Sequence, residues 1–138
     1  MRWGSRLTLL LVLLTAGCSG SANRRIWGDV SYDGKPIVDG AIELIPMPGT
    51  GGPSVGGAIK DGSYDIPAEK GPLAGGTYRV ELRAVRDTGR FPPGPRHPKA
   101  LPEREPIIPA DYNINSQLQV TVRSKPADNR FDFRLEKR

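Results

Sequence analysis

The chain has 138 residues, with 20 Lys and Arg against 15 Asp and Glu, a net charge of +5, one cysteine and one histidine. A single cysteine excludes an intrachain disulfide, and a single histidine leaves a zinc site short of ligands. The basic residues are scattered among acids with no aromatic-interleaved stripe, which argues against a nucleic acid partner.

Arg2 and Arg6 precede a Leu-rich run, Leu7 to Leu14, that ends in Thr15-Ala16-Gly17-Cys18. A short positive region, an apolar stretch and small residues before a cut describe an export signal. As a helix this run rises only about 12 Å, against the roughly 30 Å of a bilayer's hydrocarbon core, so it does not read as a membrane span. Thr-Ala-Gly-Cys resembles the bacterial lipobox, with Thr15 standing where that motif usually has Leu. The resemblance implies cleavage after residue 17, lipid on Cys18, and a protein held at the cell envelope through that lipid. Ser19 next to the cysteine fits sorting to the outer membrane. The mature chain then has 121 residues with 18 basic against 15 acidic, enough for one domain over 26–138 behind a tether over 18–25.

Glycine and proline are abundant, 17 and 14 residues, and no stretch keeps a helical apolar period free of them. Short strands joined by turns are therefore expected. Ser19 to Arg25 is polar and reaches at most about 25 Å. A first strand is predicted over Ile26 to Tyr32, ending at Asp33-Gly34, a dipeptide suited to a type I′ turn. A second covers Ala41 to Ile45, followed by a Gly/Pro loop from Pro46 to Pro53. Ser54 to Lys60 and Ser63 to Ile66 form a hairpin around Asp61-Gly62.

The clearest strand is Thr77 to Val85, where Tyr78, Val80, Leu82 and Ala84 alternate with Thr77, Arg79, Glu81 and Arg83. That period of two marks a sheet with one buried and one wet face. Leu118, Val120 and Val122 repeat it, as do Phe131, Phe133 and Leu135. Seven short strands with turn signals between them predict an all-β, antiparallel two-sheet sandwich. The segment Arg86 to Pro109 breaks the pattern with seven prolines and alternating charges. It reads either as a proline-stiffened crossover between sheets or as a recognition loop.

Asp33-Gly34-Lys35-Pro36-Ile37-Val38-Asp39-Gly40-Ala41-Ile42, then Lys60-Asp61-Gly62-Ser63-Tyr64, then Gly75-Gly76-Thr77-Tyr78-Arg79-Val80 occur in order. Their order and spacing resemble the carboxypeptidase regulatory-like domain, an Ig-like or prealbumin-like (transthyretin-like) β-sandwich. Ile108 to Asn113 and the Phe131 to Leu135 ending are similar to small bacterial lipoproteins that carry one such domain. The resemblance covers residues 26 to 136 and implies a noncatalytic scaffold. Hydroxyisourate hydrolases share the fold but depend on several histidines and a C-terminal Tyr-Arg-Gly-Ser, whereas this chain ends Leu135-Glu136-Lys137-Arg138. No His-x-x-Glu zinc motif occurs either.

The remaining chemistry is sparse. His97 stands alone, so no serine has a histidine partner for nucleophilic catalysis. Asp33 and Asp61 are turn residues, and no calcium-loop spacing is present. No enzyme activity, metal or cofactor is expected. An isopeptide crosslink would draw on Lys35, Asn129 and Glu81, of which Lys35 and Glu81 read as solvated. Tyr112 fits a tyrosine-corner role, its hydroxyl bonding nearby backbone. Trp27 falls on the polar face of the first strand, where an indole offers a stacking platform for sugar rings. Trp27, Arg90, Phe91, Arg96 and His97 thus form the candidate binding surface. The expected role is an envelope-anchored structural or protein-interaction module, with a carbohydrate-binding module as the alternative.

Overall fold

A computed structural model describes residues 22–95 and 98–137. The export signal, Cys18, Arg96 and His97 lie outside the described residues. Nine strands occur among the described residues: β1 (Ile26–Tyr32), β2 (Lys35–Pro36), β3 (Asp39–Pro46), β4 (Val55–Lys60), β5 (Ser63–Ile66), β6 (Thr77–Asp87), β7 (Arg104–Pro106), β8 (Gln119–Thr121) and β9 (Phe133–Leu135). All seven expected strands are present, and the two additions, β2 and β7, are short. Both Asp-Gly turns form as expected. Asp33 and Gly34 take φ of +50° and +74°, and Asp61 and Gly62 take +49° and +84°, which is the positive pair a type I′ turn requires.

The strands make one curled sheet in the order β9-β1-β5-β4-β3-β6, with β7 and β8 both on the far edge of β6. The buried faces of these strands enclose one core. Tyr78, Val80, Leu82 and Ala84 of β6 are at most 2% exposed, and they meet Ile42 and Leu44 of β3, Ile59 of β4 and Val120 of β8 in one cluster. Each such side chain contributes about 1.5–3 kcal/mol on burial, and the period-two pattern in the sequence is what aligns them.

One pairing departs from the antiparallel expectation. β9 runs parallel to β1, with Val30, Ser31 and Tyr32 opposite Phe133, Arg134 and Leu135. The cause is chain direction: β8 runs opposite to β6, turns over the end of the sheet through a 3-10 turn at Pro126–Asp128, and returns in the sense of β1. Gly28 makes the approach possible, because a Cβ there would lie 1.9 Å from the Phe131 carbonyl oxygen.

Nor is Arg86 to Pro109 a crossover between sheets. β6 continues to Asp87, and β7 returns beside it, pairing Val85 with Pro106, Arg86 with Glu105 and Asp87 with Arg104. The segment is the outer half of a long hairpin. Glu81 also departs from expectation: it lies on the polar face, yet it is only 6% exposed. Arg79 and Arg83 flank its carboxylate at 2.9 and 3.2 Å, and the same two arginines reach the Ile114 carbonyl and the Asn113 side chain of the segment passing over it.

With no disulfide, polar ties hold the distant segments. The Tyr64 hydroxyl donates to the Phe131 carbonyl at 2.8 Å, and the Tyr78 hydroxyl accepts from the Leu73 N–H at 3.0 Å. The Tyr112 hydroxyl donates to the carbonyl of Glu136 and accepts from its N–H, at 3.0 and 3.2 Å. Tyr112 therefore ties structure as expected, but to backbone 24 residues away rather than nearby. Asn129, fully buried, accepts from the Arg123 N–H at 2.7 Å and donates to the Arg123 carbonyl at 2.9 Å. That commitment separates it from Lys35, which is exposed on β2, and from Glu81.

Asn129→Ala leaves both Arg123 backbone groups without their partner and is expected to cost about 2 kcal/mol in urea unfolding. Tyr112→Phe, which removes a hydroxyl with two backbone bonds, is expected to cost about 1 kcal/mol in the same measurement.

Candidate functional site

The projecting hairpin, here termed the arm, arises because β6 outlasts the core. Inward burial stops at Ala84, and Arg86 and Asp87 are exposed. Alternating charges on the two strands then meet their opposites. Arg86 pairs with Glu105, Asp87 with Arg104 at 2.9 Å, and Arg90 with Glu103 at 3.6 Å. Exposed cross-strand pairs of this kind are screened by solvent, so together they fix register more than they add stability. Backbone bonds continue the zipper, with the Thr88 N–H donating to Glu103 at 2.8 Å and the Glu103 N–H to Arg90 at 2.7 Å. Gly89, at φ +73°, forms the bulge between those two bonds.

Beyond Glu103 and Arg90 lies the proline-rich tip, where Phe91 is 43% and Leu101 80% exposed. Val38 and Ile114, elsewhere on the surface, are the other large apolar side chains exposed among the described residues. Arg104 fixes the root, donating to Asp87 of β6 and to Asp39 of β3, both at 2.9 Å. Lys60 holds the same Asp39 at 2.5 Å. A cleft of about 800 Å³ opens beside this root, bounded by the end of β1, β2, the start of β3 and the residues following β9.

The arm and the N-terminal entry lie at opposite ends of β6. Ala74 and Arg24 bond to Ala22 and Pro72, beside the start of β6, while the arm grows from its end. Eleven residues of strand separate the two, about 36 Å.

Trp27 stands apart from the arm. It is half-buried on the outer face of β1, opposite Asp65 of β5. The Arg25 guanidinium lies 4.8 Å from the centre of its ring and is held there by both oxygens of Asp65, at 2.8 and 2.6 Å. On the other edge of β1, Arg130, whose backbone pairs with Trp27, bridges Asp29 and Asp132 at 2.7 and 3.1 Å. One ring face is thus already taken by a cation, which works against the indole as an open sugar platform. Of the five residues of the sequence-derived surface, Arg90 and Phe91 share the arm, Trp27 does not, and Arg96 and His97 fall outside the described residues. The signal for the zipper, alternating charge over Arg86–Arg90 and Glu103–Glu105, was present in the sequence. Among the described residues no group of three or more His, Cys, Asp or Glu is arranged to hold a metal, and no helix is long and apolar enough to cross a membrane.

The fold and arm define a class: an all-β domain with a charged, zipped hairpin projecting from its longest strand. No family model, curated protein or solved structure matches this chain.

The carboxylates in these pairs titrate below their ordinary value of 3.8: Asp39 through the Lys60 hydrogen bond and charge, Asp65 through the Arg25 hydrogen bond, and Asp132 through the Asp29 N–H and then Arg130. A depressed folded value contributes stability that is present above the unfolded value and lost as pH falls through the folded one. Urea midpoints are therefore expected to drop as pH is lowered below about 4, with a shallower drop in Asp39→Asn and Asp65→Asn.

Proposed function

We propose that this protein is a noncatalytic, lipid-anchored module of the cell envelope that binds another protein through its arm. In this reading the fold is a prealbumin-like sandwich of the carboxypeptidase regulatory-like type. Residues 1–17 are the export signal, Cys18 carries the lipid, and the outer membrane is the site. The observation that carries the interaction role is the arm itself: a hairpin held in register by three cross-strand ion pairs, displaying Phe91 and Leu101 beyond the core. A hairpin already paired before binding has less order left to gain on association, and apolar anchors near the centre of a contact supply most of its affinity. Placement supports the same reading. The described chain enters beside the start of β6 and the arm leaves from its end, so in this reading the anchor and the tip belong to opposite ends of that strand.

Crosslinking in living cells, followed by purification of the tagged full-length protein, tests this directly. The native protein is expected to bring down one dominant protein, and Phe91→Ser/Leu101→Ser is expected to cut its recovery about tenfold with no change in thermal midpoint. Replacing residues 86–106 by a short Gly/Ser turn is expected to abolish it. Unchanged recovery, or recovery of glycan that depends on Trp27, would sink the reading in favour of the sugar-binding one. Cys18→Ser is expected to move the protein from the membrane fraction to the soluble fraction.

A further inference from the structure

The cleft at the root of the arm has a composition the arm's zipper does not explain. Its aliphatic lining comes from Pro36, Ile37, Val38, Val85, Pro106 and Ile107, and Val38 is 67% exposed, unusual for a large apolar residue beside the start of a strand. Four basic and three acidic side chains complete the wall. Most are committed: Arg86 to Glu105, and Arg104 to Asp39 and Asp87. Lys35 and Lys137 are not, since neither has a carboxylate within ion-pair distance among the described residues. They flank the end of β1, where Tyr32 pairs with Lys35 on one edge and with Leu135 of β9 on the other. Asp33 is the one uncommitted acid of the wall, held in the turn next to them.

We propose that this cleft is a docking groove for an extended peptide segment of a partner protein, one that sets acidic side chains beside small apolar ones. The acidic side chains meet Lys35 and Lys137, and the apolar ones cover Val38 and the two prolines. This rests on the interaction reading above and adds a second contact at the same end of the molecule as the arm. A peptide fits better than a glycan because the lining is aliphatic: among the described residues the wall's one aromatic ring is Tyr32, which is itself partly buried. Opposite charges across such a groove set specificity and on-rate, while buried apolar contact supplies the affinity.

The test titrates full-length protein, purified in detergent, into a fluorescein-labelled short peptide of alternating glutamate and valine and follows anisotropy. Saturable binding is expected. Lys35→Gln/Lys137→Gln should weaken it about tenfold, and Asp33→Asn should tighten it about twofold to threefold. All three positions are exposed, so thermal melts of these variants should match the native protein. An alternating lysine–valine peptide should not bind. A flat titration, binding indifferent to the lysine substitutions, or equally tight binding of an oligogalacturonate would overturn the proposal. Phe91→Ser/Leu101→Ser should leave peptide binding unchanged, which separates the two readings. Loss of peptide binding with arm-dependent recovery intact removes the groove alone; peptide binding without arm-dependent recovery removes the arm alone.

Discussion

A strand of eleven residues spans about 36 Å, and β6 is longer than the core it helps to bury. Its inward side chains from Tyr78 to Ala84 belong to one core cluster with buried residues of six other strands. Past Ala84 no core remains, yet each further residue still carries an N–H and a C=O that need partners. β7 supplies them by turning back along the same edge, and opposite charges on the two strands hold that return in register. The arm is thus the continuation of the strand that organises the fold. That is why a projecting element with so little burial keeps a defined direction.

The same edge shows how a domain without disulfides secures chain segments far apart in sequence. Ile107 donates to Ala84, the Ser116 hydroxyl to Val80, and Val80 to Leu118, so the chain between β7 and β8 follows β6 throughout. Tyr112 then leaves this edge to grip Glu136 after β9, and Tyr64 grips Phe131 before it. β9 is only three residues long, too short to hold its place by ladder bonds alone. Two phenols and the buried Asn129 amide fix it at both ends. No buried side-chain nitrogen or oxygen among the described residues lacks a partner, so these ties carry no hidden desolvation penalty.

Local chemistry was legible in the sequence, and long-range register was not. Both Asp-Gly turns and the inward faces of β6, β8 and β9 follow from residues within a few positions of one another, whereas the partner of Tyr112 lies 24 residues away. The parallel course of β9 depends on which way β8 runs and on a single glycine, Gly28, lying under the Phe131 carbonyl; no local pattern encodes either. Glu81 reads as solvated because periodicity reports a face, not what later crosses it. The arm was half visible. Its charges alternate in the sequence, but the prolines drew the reading toward an irregular loop, and charge alone does not fix which residue faces which. Arg25 lies just ahead of β1 and two residues from Trp27, a spacing that sets both side chains on one side of an extended chain, so the cover on the indole was within reach of the pattern. Nothing local, however, announced that Asp65 would hold the arginine there.

β7 is also an open border. A strand with a vacant edge offers its backbone to any passing chain, including another copy of itself. This one gives little purchase. Pro106 has no N–H to offer, Arg104 and Glu105 would have to shed water to be covered, and the strand stops after three residues. The arm can therefore be recognised by its side chains while refusing to be extended as a sheet. Even where these molecules crowd together their hairpins stay separate, and each keeps its side chains free for a different kind of encounter.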